Sequence, residues 1–548
     1  MNWKTKVTEK QEQREAAIKA WGLSIPNDLV ANKRNVKYLP NTSGILSRKE
    51  LDITESSATI IVDKIRKLEW SAEEVLRAFV SRAVLAHQLT NPLTEVFFER
   101  GLYRARELDK IFKDTGKPVG PLHGLPISLK DTLHIKGLET TQGYAGWIGN
   151  VQNEDDSLVK ILINAGAVLY CKTNVPQTLM SGECVNFVFG RTSSPWNTSL
   201  SAGGSSGGEG SLISLGGSPL GIGSDIAGSI RTPANFNGIY GLCPSTCRFP
   251  GHRANKLGGE SFIKPVFGPL SRSVDGLEVY TRAILSARPW EVDHQVLRLP
   301  WNEVDYQEGL GRHHTLTFGF MRHDHVVLPD PPILRCIEEV RDKLQKSGHH
   351  VIDIAPFEGV ELMSAMEKIF GATGAKDVRE ILAKSGEPLI KEVEFTTEDT
   401  ALSTWEYKRA GVQLSILRQK YLEIVNNTST ETISGRPIDG IILPSGGHVA
   451  PPHGTMEYYT YEAISNALDW TCATFPVGFV NSDLDTKPKS FHPMSKYDER
   501  NHAKYSPEAY ADAPVCLQLM GVQHSEEKVL GLLRTVEAAL GRGPNYMA

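Results

Sequence analysis

The 548-residue sequence lacks any run of about 18–20 consecutive apolar residues, so nothing in it reads as a membrane-spanning helix. It also lacks a secretory leader: the opening stretch MNWKTKVTEKQEQREAAIKAW is charged and amphipathic and has no apolar centre. Cysteine is scarce, with seven at positions 171, 184, 243, 247, 336, 472 and 516. An odd number with no pairing pattern points to reduced thiols, and so to a cytoplasmic protein. Cys243, Cys247 and His252 do not make a zinc pattern, because the spacing is wrong and no second ligand pair follows; no metal is expected. Neither sign of charge prevails, since 59 Lys+Arg against 64 Asp+Glu leave a net charge of −5. That balance gives no electrostatic reason to expect a nucleic-acid partner.

What is present is ordinary globular material, 40% hydrophobic and 22% charged, with ample chain to bury a core unaided by staples. The length alone allows three or four units or one large one. No repeat, low-complexity tract or linker divides it, so the reading is a helical arm over 1–45 followed by one domain over 46–548. Asn27-Asp28 and Pro40-Asn41 read as breaks within the arm. Apolar spacing over 52–88 predicts two helices, the second entered from Ser71 with Glu73 and Glu74 in its first turn. GLPISLK (124–130) predicts a buried strand after a Gly/Pro turn, and 156–174 reads as helix, glycine stop, strand. Residues 436–444 and 513–521 read as strands and 524–540 as a closing helix, while 480–507 reads as a polar surface excursion. This alternation predicts an α/β fold whose parallel or mixed sheet is covered by helices.

The chemistry concentrates between Ser201 and Gly228, where ten of 28 residues are glycine against 49 in the whole chain. Such clustering makes the backbone turn tightly or approach a bound group. It is not a phosphate loop, for no lysine follows these glycines at the GxxxxGK[ST] spacing. Nor is it a dinucleotide loop, because Ile226 stands where GxGxxG needs its third glycine. A serine site remains, beside a purely structural role for the glycines. In LGIGSDIAGSIRTP, Ser229 follows a turn and opens a short helical stretch, so the amides of Ile226, Ala227, Gly228 and Ser229 would converge as oxyanion donors. A serine needs a base. His123, in the Gly/Pro turn, reads as structural. Lys130 ends an apolar strand, and burial would make it a neutral amine able to take a proton. From the residues alone, a snorkelling strand-end lysine is the commoner explanation of Lys130.

GLPISLKD (124–131), GGSSGGEG (203–210) and GSDIAGSIR (223–231) together resemble the amidase signature family, and the likeness extends through AGAVLYCKTNVPQTLMSGE (165–183), FGPLSRSVDGL (267–277), DGIILP (439–444) and APVCLQLMG (513–521). Further stretches, among them LPDPPILR (328–335) and SPEAYADAPV (506–515), are most similar to the fungal acetamidase branch. The resemblance implies one large domain, with a central mixed sheet covered on both sides by helices and a catalytic core over about 120–240. It implies an amidase that hydrolyses a short aliphatic or aromatic carboxamide through an acyl-enzyme, with no cofactor, and a homodimer as is frequent in the family. By position, Lys130 matches the family's base, Ser205 the bridging serine at a cis peptide, and Ser229 the nucleophile. Ser206, Asp225 and Arg231 match supporting positions, Gly203 and Gly204 the substrate-facing loop, and Leu179 and Met180 the acyl pocket. Two departures stand out. Ser224 replaces the usual threonine, and Ala227 replaces the first of paired glycines, where a left-handed backbone would cost about 1–2 kcal/mol. Alternatives within the resemblance are a fatty-acid amide hydrolase, an aryl-acylamidase or esterase, and a glutaminase-type amidotransferase subunit. From another class, a non-catalytic binding protein on the same scaffold is the rival.

Overall fold

The computed structural model describes residues 2–251, 261–393 and 398–543. Its first helix, α1 (Trp3–Lys19), is capped by the Asn2 side chain, which accepts from the Lys4 N–H. A helix this polar is held by its contacts rather than by an apolar stripe. It buries Val7 and Ile18 together with Lys10 and Arg14. Lys10 pairs with Glu95 and, at 3.3 Å, with Glu139. Arg14 donates to the Leu93 carbonyl at 3.0 Å. The first helix of the arm is therefore fastened to the body. The expected breaks at 27–28 and 40–41 are four-residue helices, Asn27–Val30 and Leu39–Thr42. Pro40 suits such a first turn, where an N–H has no intrahelical acceptor.

The helical stretch predicted over 52–88 is divided at Ser57, which caps the helix Ala58–Arg66 after the shorter Arg48–Thr54. The helix Ala72–Thr90 does enter from Ser71, with a capping box closed by Glu74. Beyond it the strands are β1 (Leu93–Val96), β2 (Pro126–Lys130), β3 (Val168–Thr173), β4 (Leu220–Asp225), β5 (Tyr240–Cys243), β6 (Val266–Ser271), β7 (Thr317–Phe320), β8 (His350–Asp353), β9 (Gly440–Pro444), β10 (Cys472–Phe479) and β11 (Pro514–Met520). They form one mixed sheet in the order β1-β3-β2-β4-β6-β5-β10-β11-β9-β7-β8. β2 runs parallel to both β3 and β4, and all three are buried along their length. Such strands read as apolar runs because both faces are covered. In β3, Leu169 faces one apolar cluster with Ile127 and Leu129, while Val168 and Tyr170 face another on the opposite side. The pairing Leu129↔Ile222 brings Lys130 and the residues that follow Ile222 out at the same end of the sheet.

Two short helices flank that end: α2 (Gly207–Ser214) and α3 (Arg231–Asn237). Four more stand around the space beyond it: α4 (Gly359–Gly371), α5 (Thr404–Asn427), α6 (Thr460–Leu468) and α7 (Lys496–Lys504). The last lies within 480–507, which is mostly exposed as expected but carries this helix and is anchored by buried polar groups. Asp498 of α7 is buried and accepts the N–H groups of Leu328 (2.9 Å) and Met494 (2.8 Å). Polar side chains bonded to backbone fix this segment, so apolar periodicity does not reveal it. Among the described residues no helix is long and apolar enough to cross a membrane.

Candidate active site

At the end of β2, Lys130 is wholly buried. Its Nζ lies 2.7 Å from Ser205 Oγ, 2.8 Å from Ser224 Oγ and 3.2 Å from the Ser224 carbonyl oxygen. A neutral amine has two N–H donors and one lone pair, so the Ser224 oxygens take both donors and leave the lone pair to the Ser205 hydroxyl. Burial is the main cause that drives Lys130 down to about 7, against Asp225, Cys184 and Glu209, which favour its charged form. Ser224 thus keeps the hydroxyl that the usual threonine would supply.

Ser205 follows a cis Gly204–Ser205 peptide and is almost fully buried. The Ser206 hydroxyl lies 3.3 Å from both the N–H and the carbonyl oxygen of Ser224, and the Ser206 N–H donates to the Ser229 carbonyl at 3.2 Å. Ser229 is half-buried, and among the described residues no hydrogen bond joins its hydroxyl to Ser205. The loop that carries it leaves β4 at Asp225 and runs through residues 226–230 into α3, with the expected glycine-containing turn at Gly228 immediately ahead of Ser229. Ala227 keeps a negative φ, so alanine costs nothing there; the left-handed residue is Gly228, at φ +109°.

Asp225 shapes this loop. Its carboxylate accepts from the N–H groups of Gly228 (2.7 Å) and Ile230 (3.0 Å) and from Arg231 Nε (3.2 Å) and Nη2 (3.1 Å). Burial pushes this carboxyl up, but Arg231 and the amides outweigh it and hold it below its ordinary value. Arg231 also reaches Gln518 of β11 and Asn466 of α6, each at 2.7 Å. Of the four amides expected to converge, that of Gly228 is therefore occupied. Those of Ile226, Ala227 and Ser229 meet no acceptor among the described residues.

Ser205, Ser224, Ile226 and Ser229 border a cavity of about 910 Å³, as do Leu179 and Met180. Gly203 and Gly204 do not. Both are buried in the wall behind it, where Gly203 backs onto Pro233 and Gly204 onto the Ser181 carbonyl. At both positions the backbone packing leaves no room for a side chain. The cavity's far lining comes from Met363 and Phe370 of α4, Tyr407 of α5, Tyr458 and Tyr459 ahead of α6, and Tyr497 of α7. Nothing in the local sequence marked these residues, which meet only in the fold. Glu209 on α2 lies inside the glycine-rich motif and is buried close behind Lys130. It accepts from the hydroxyls of Ser128 (2.6 Å) and Thr173 (2.8 Å), and burial raises it to about 8 against those bonds and the Lys130 charge.

His123 accepts the Val119 N–H at 3.0 Å on Nδ1, and burial holds it down to about 4, in keeping with a structural part. Cys243 sits opposite Cys472 across β5 and β10, and all seven cysteines are free thiols. His252 lies outside the described residues. Among the described residues no group of three or more His, Cys, Asp or Glu is arranged to hold a metal.

The class this chain falls in, the hydrolases that act on amide carbon–nitrogen bonds, follows from its relatives. The chain belongs to the amidase signature family: the family model described as Amidase matches residues 74–530. An acetamidase of Aspergillus oryzae is 40% identical over 518 residues, covering 92% of this chain and 93% of that protein. An acetamidase of Emericella nidulans is also 40% identical, with 92% of each chain covered. Among solved structures, a fatty acid amide hydrolase superposes with a TM-score of 0.91 at 34% identity, covering 99% of this chain and 95% of that one.

Proposed function

We propose that this amidase works through Ser229 as nucleophile, Ser205 as relay and neutral Lys130 as base, in a cytoplasmic setting that the seven free thiols favour. The observation that carries the reading is the fully buried Lys130 amine at 2.7 Å from Ser205 Oγ, with both its N–H groups taken by Ser224. Lys130 takes the Ser205 proton as Ser205 takes that of Ser229, and Ser229 Oγ adds to the amide carbonyl. The amides of Ile226, Ala227 and Ser229 receive the oxyanion, while Asp225 and Arg231 hold the loop that presents them. The proton returns through Ser205 to the leaving nitrogen as the C–N bond breaks. Water then repeats the sequence on the acyl-enzyme and releases the carboxylate. Catalytic hydrogen bonds often close only with substrate in place, which suits a Ser205–Ser229 contact not yet made.

Acetamide would fill little of a cavity of about 910 Å³, and the lining by Met180, Met363, Phe370 and four tyrosines favours a bulkier acyl or aryl group. Ammonia release from acetamide, hexanamide, benzamide and glutamine, measured beside Ser229→Ala, tests both parts. Hexanamide or benzamide should exceed acetamide in kcat/KM, with a gain of up to about fourfold per methylene buried. The Ser229→Ala enzyme should lose several orders of magnitude. Since the base acts unprotonated, kcat/KM should climb with pH to half its plateau near the Lys130 value of about 7. A profile flat from about pH 6 to 9, with chemistry limiting, would remove Lys130 as base.

A further inference from the structure

A buried carboxyl lies beneath the Ser229 loop and has no part in the reaction above. Glu462 stands in the first turn of α6 and is fully buried. It packs on the turning point of the loop: a Cβ built on Gly228 would fall 2.4 Å from Glu462 Cβ and 3.2 Å from its Cγ. On its other side, Glu462 Oε1 is 2.9 Å and Asn235 Nδ2 3.6 Å from the point a Gly446 Cβ would occupy. The carboxyl therefore looks into the seam between α6, α3 and the chain that leaves β9. Neither of its oxygens meets a hydrogen-bond partner from another residue, and Asn235 Nδ2 is likewise unpartnered among the described residues.

No cation stands ready to balance a charge there. The charged groups that face Glu462 are Arg231 of α3, Asp225 at the end of β4 and Asp324 from the loop after β7. Arg231 is spent on Asp225, Gln518 and Asn466. Asp324 is anionic or neutral, never a cation, and is bonded by the Tyr458 hydroxyl from the chain just ahead of α6. The His448 ring, two residues past Gly446, is held down to about 4 by burial and so stays neutral.

We propose that Glu462 is a positioning residue of the Ser229 loop that acts in its neutral, protonated form, and that its ionisation ends the enzyme's working range on the alkaline side. The inference rests on the assignment of Ser229 as nucleophile. Burial raises the Glu462 carboxyl to about 8; Arg231 and its own amide oppose the rise and the two aspartates add to it. A carboxylate formed there would be a second negative charge close behind the amides that must receive the oxyanion, and like charges in a poorly solvated site repel strongly. It would also draw the idle Asn235 donor towards itself and displace Gly228, against which it packs.

The test is kcat/KM from about pH 6 to 10 for wild type and Glu462→Gln, with the rate of Ser229 labelling by a fluorophosphonate followed in parallel. Wild type should rise as Lys130 deprotonates and then fall by about tenfold per pH unit above about pH 8. Glu462→Gln, which keeps the shape but cannot ionise, should rise in the same way and stay high. A wild type with no alkaline fall, or a Gln variant that falls like wild type, overturns the proposal. Where circular dichroism shows that Glu462→Gln does not fold, Glu462→Met, equally long and untitratable, takes its place under the same criterion. If neither folds, the wild-type labelling rate decides: a fall above about pH 8 supports the proposal and a level rate overturns it. Failure of the nucleophile assignment looks different, as an active enzyme whose Ser229 is unlabelled at every pH in wild type and variants alike.

Discussion

Ser224 supplies two of the three polar contacts of the Lys130 amine, one from its hydroxyl and one from its carbonyl. Ser224→Ala would leave a buried N–H without an acceptor, at a cost of about 1–3 kcal/mol, and would free the amine to turn its lone pair away from Ser205. The expected result is a loss of about tenfold to a hundredfold in kcat/KM, with Ser224→Thr close to wild type; equal activity in all three would deny the hydroxyl this part. At this scale the sequence was most informative where function is local. Ser229 stood out from its own motif, whereas Lys130 and Ser205 were named only through the resemblance of their motifs to a family, since from the residues alone Lys130 reads as a snorkelling strand-end lysine. Gly203 and Gly204 pack on neighbouring backbone, and a glycine in such a motif gives the same signal whether it faces a ligand or a neighbouring backbone. Glu209 and Glu462 gave none, since what distinguishes them is burial among residues distant in the chain.

Among the elements, α3 ties the loop of the site to the sheet and to α6. Its first residue, Arg231, ties the end of β4 to β11 and α6 through Asp225, Gln518 and Asn466. Arg231→Met would strand the Asp225 carboxylate without its counter-charge, and breaking a buried pair in this way costs about 3–5 kcal/mol. Urea unfolding should show that loss, together with weakened activity; an unchanged midpoint would mean that the amides of Gly228 and Ile230 suffice to hold Asp225. Strands β2, β3, β9 and β11 were legible as continuous apolar runs, because both of their faces are covered. β5 (YGLC) and β6 (VFGPLS) were not, since glycine and proline interrupt the pattern that signals a strand. The helix α5 was missed as well, although Ser403 and Glu406 form a capping box at its start.

At the scale of the whole molecule, the α/β class followed from the alternation of runs. The strand order did not, because pairing β6 between β4 and β5 depends on contacts that no local pattern encodes. The cavity lining was hidden for the same reason, as it gathers side chains from α4 to α7. One feature at the periphery bears on the molecule's solubility. β1 is the last strand on its side of the sheet, and Arg14 and Lys10 of α1 engage its Leu93 carbonyl and Glu95 side chain. An outer strand left bare is a template on which another chain can add a strand of its own. Removing residues 2–20 should therefore give a protein that still labels at Ser229 yet grows into oligomers with time and concentration, as read by light scattering, whereas a truncated chain that stays as dispersed as the intact one would show that β1 needs no cover. The arm that looks like an appendage in the sequence would then be the part that keeps one copy of this enzyme from recruiting the next.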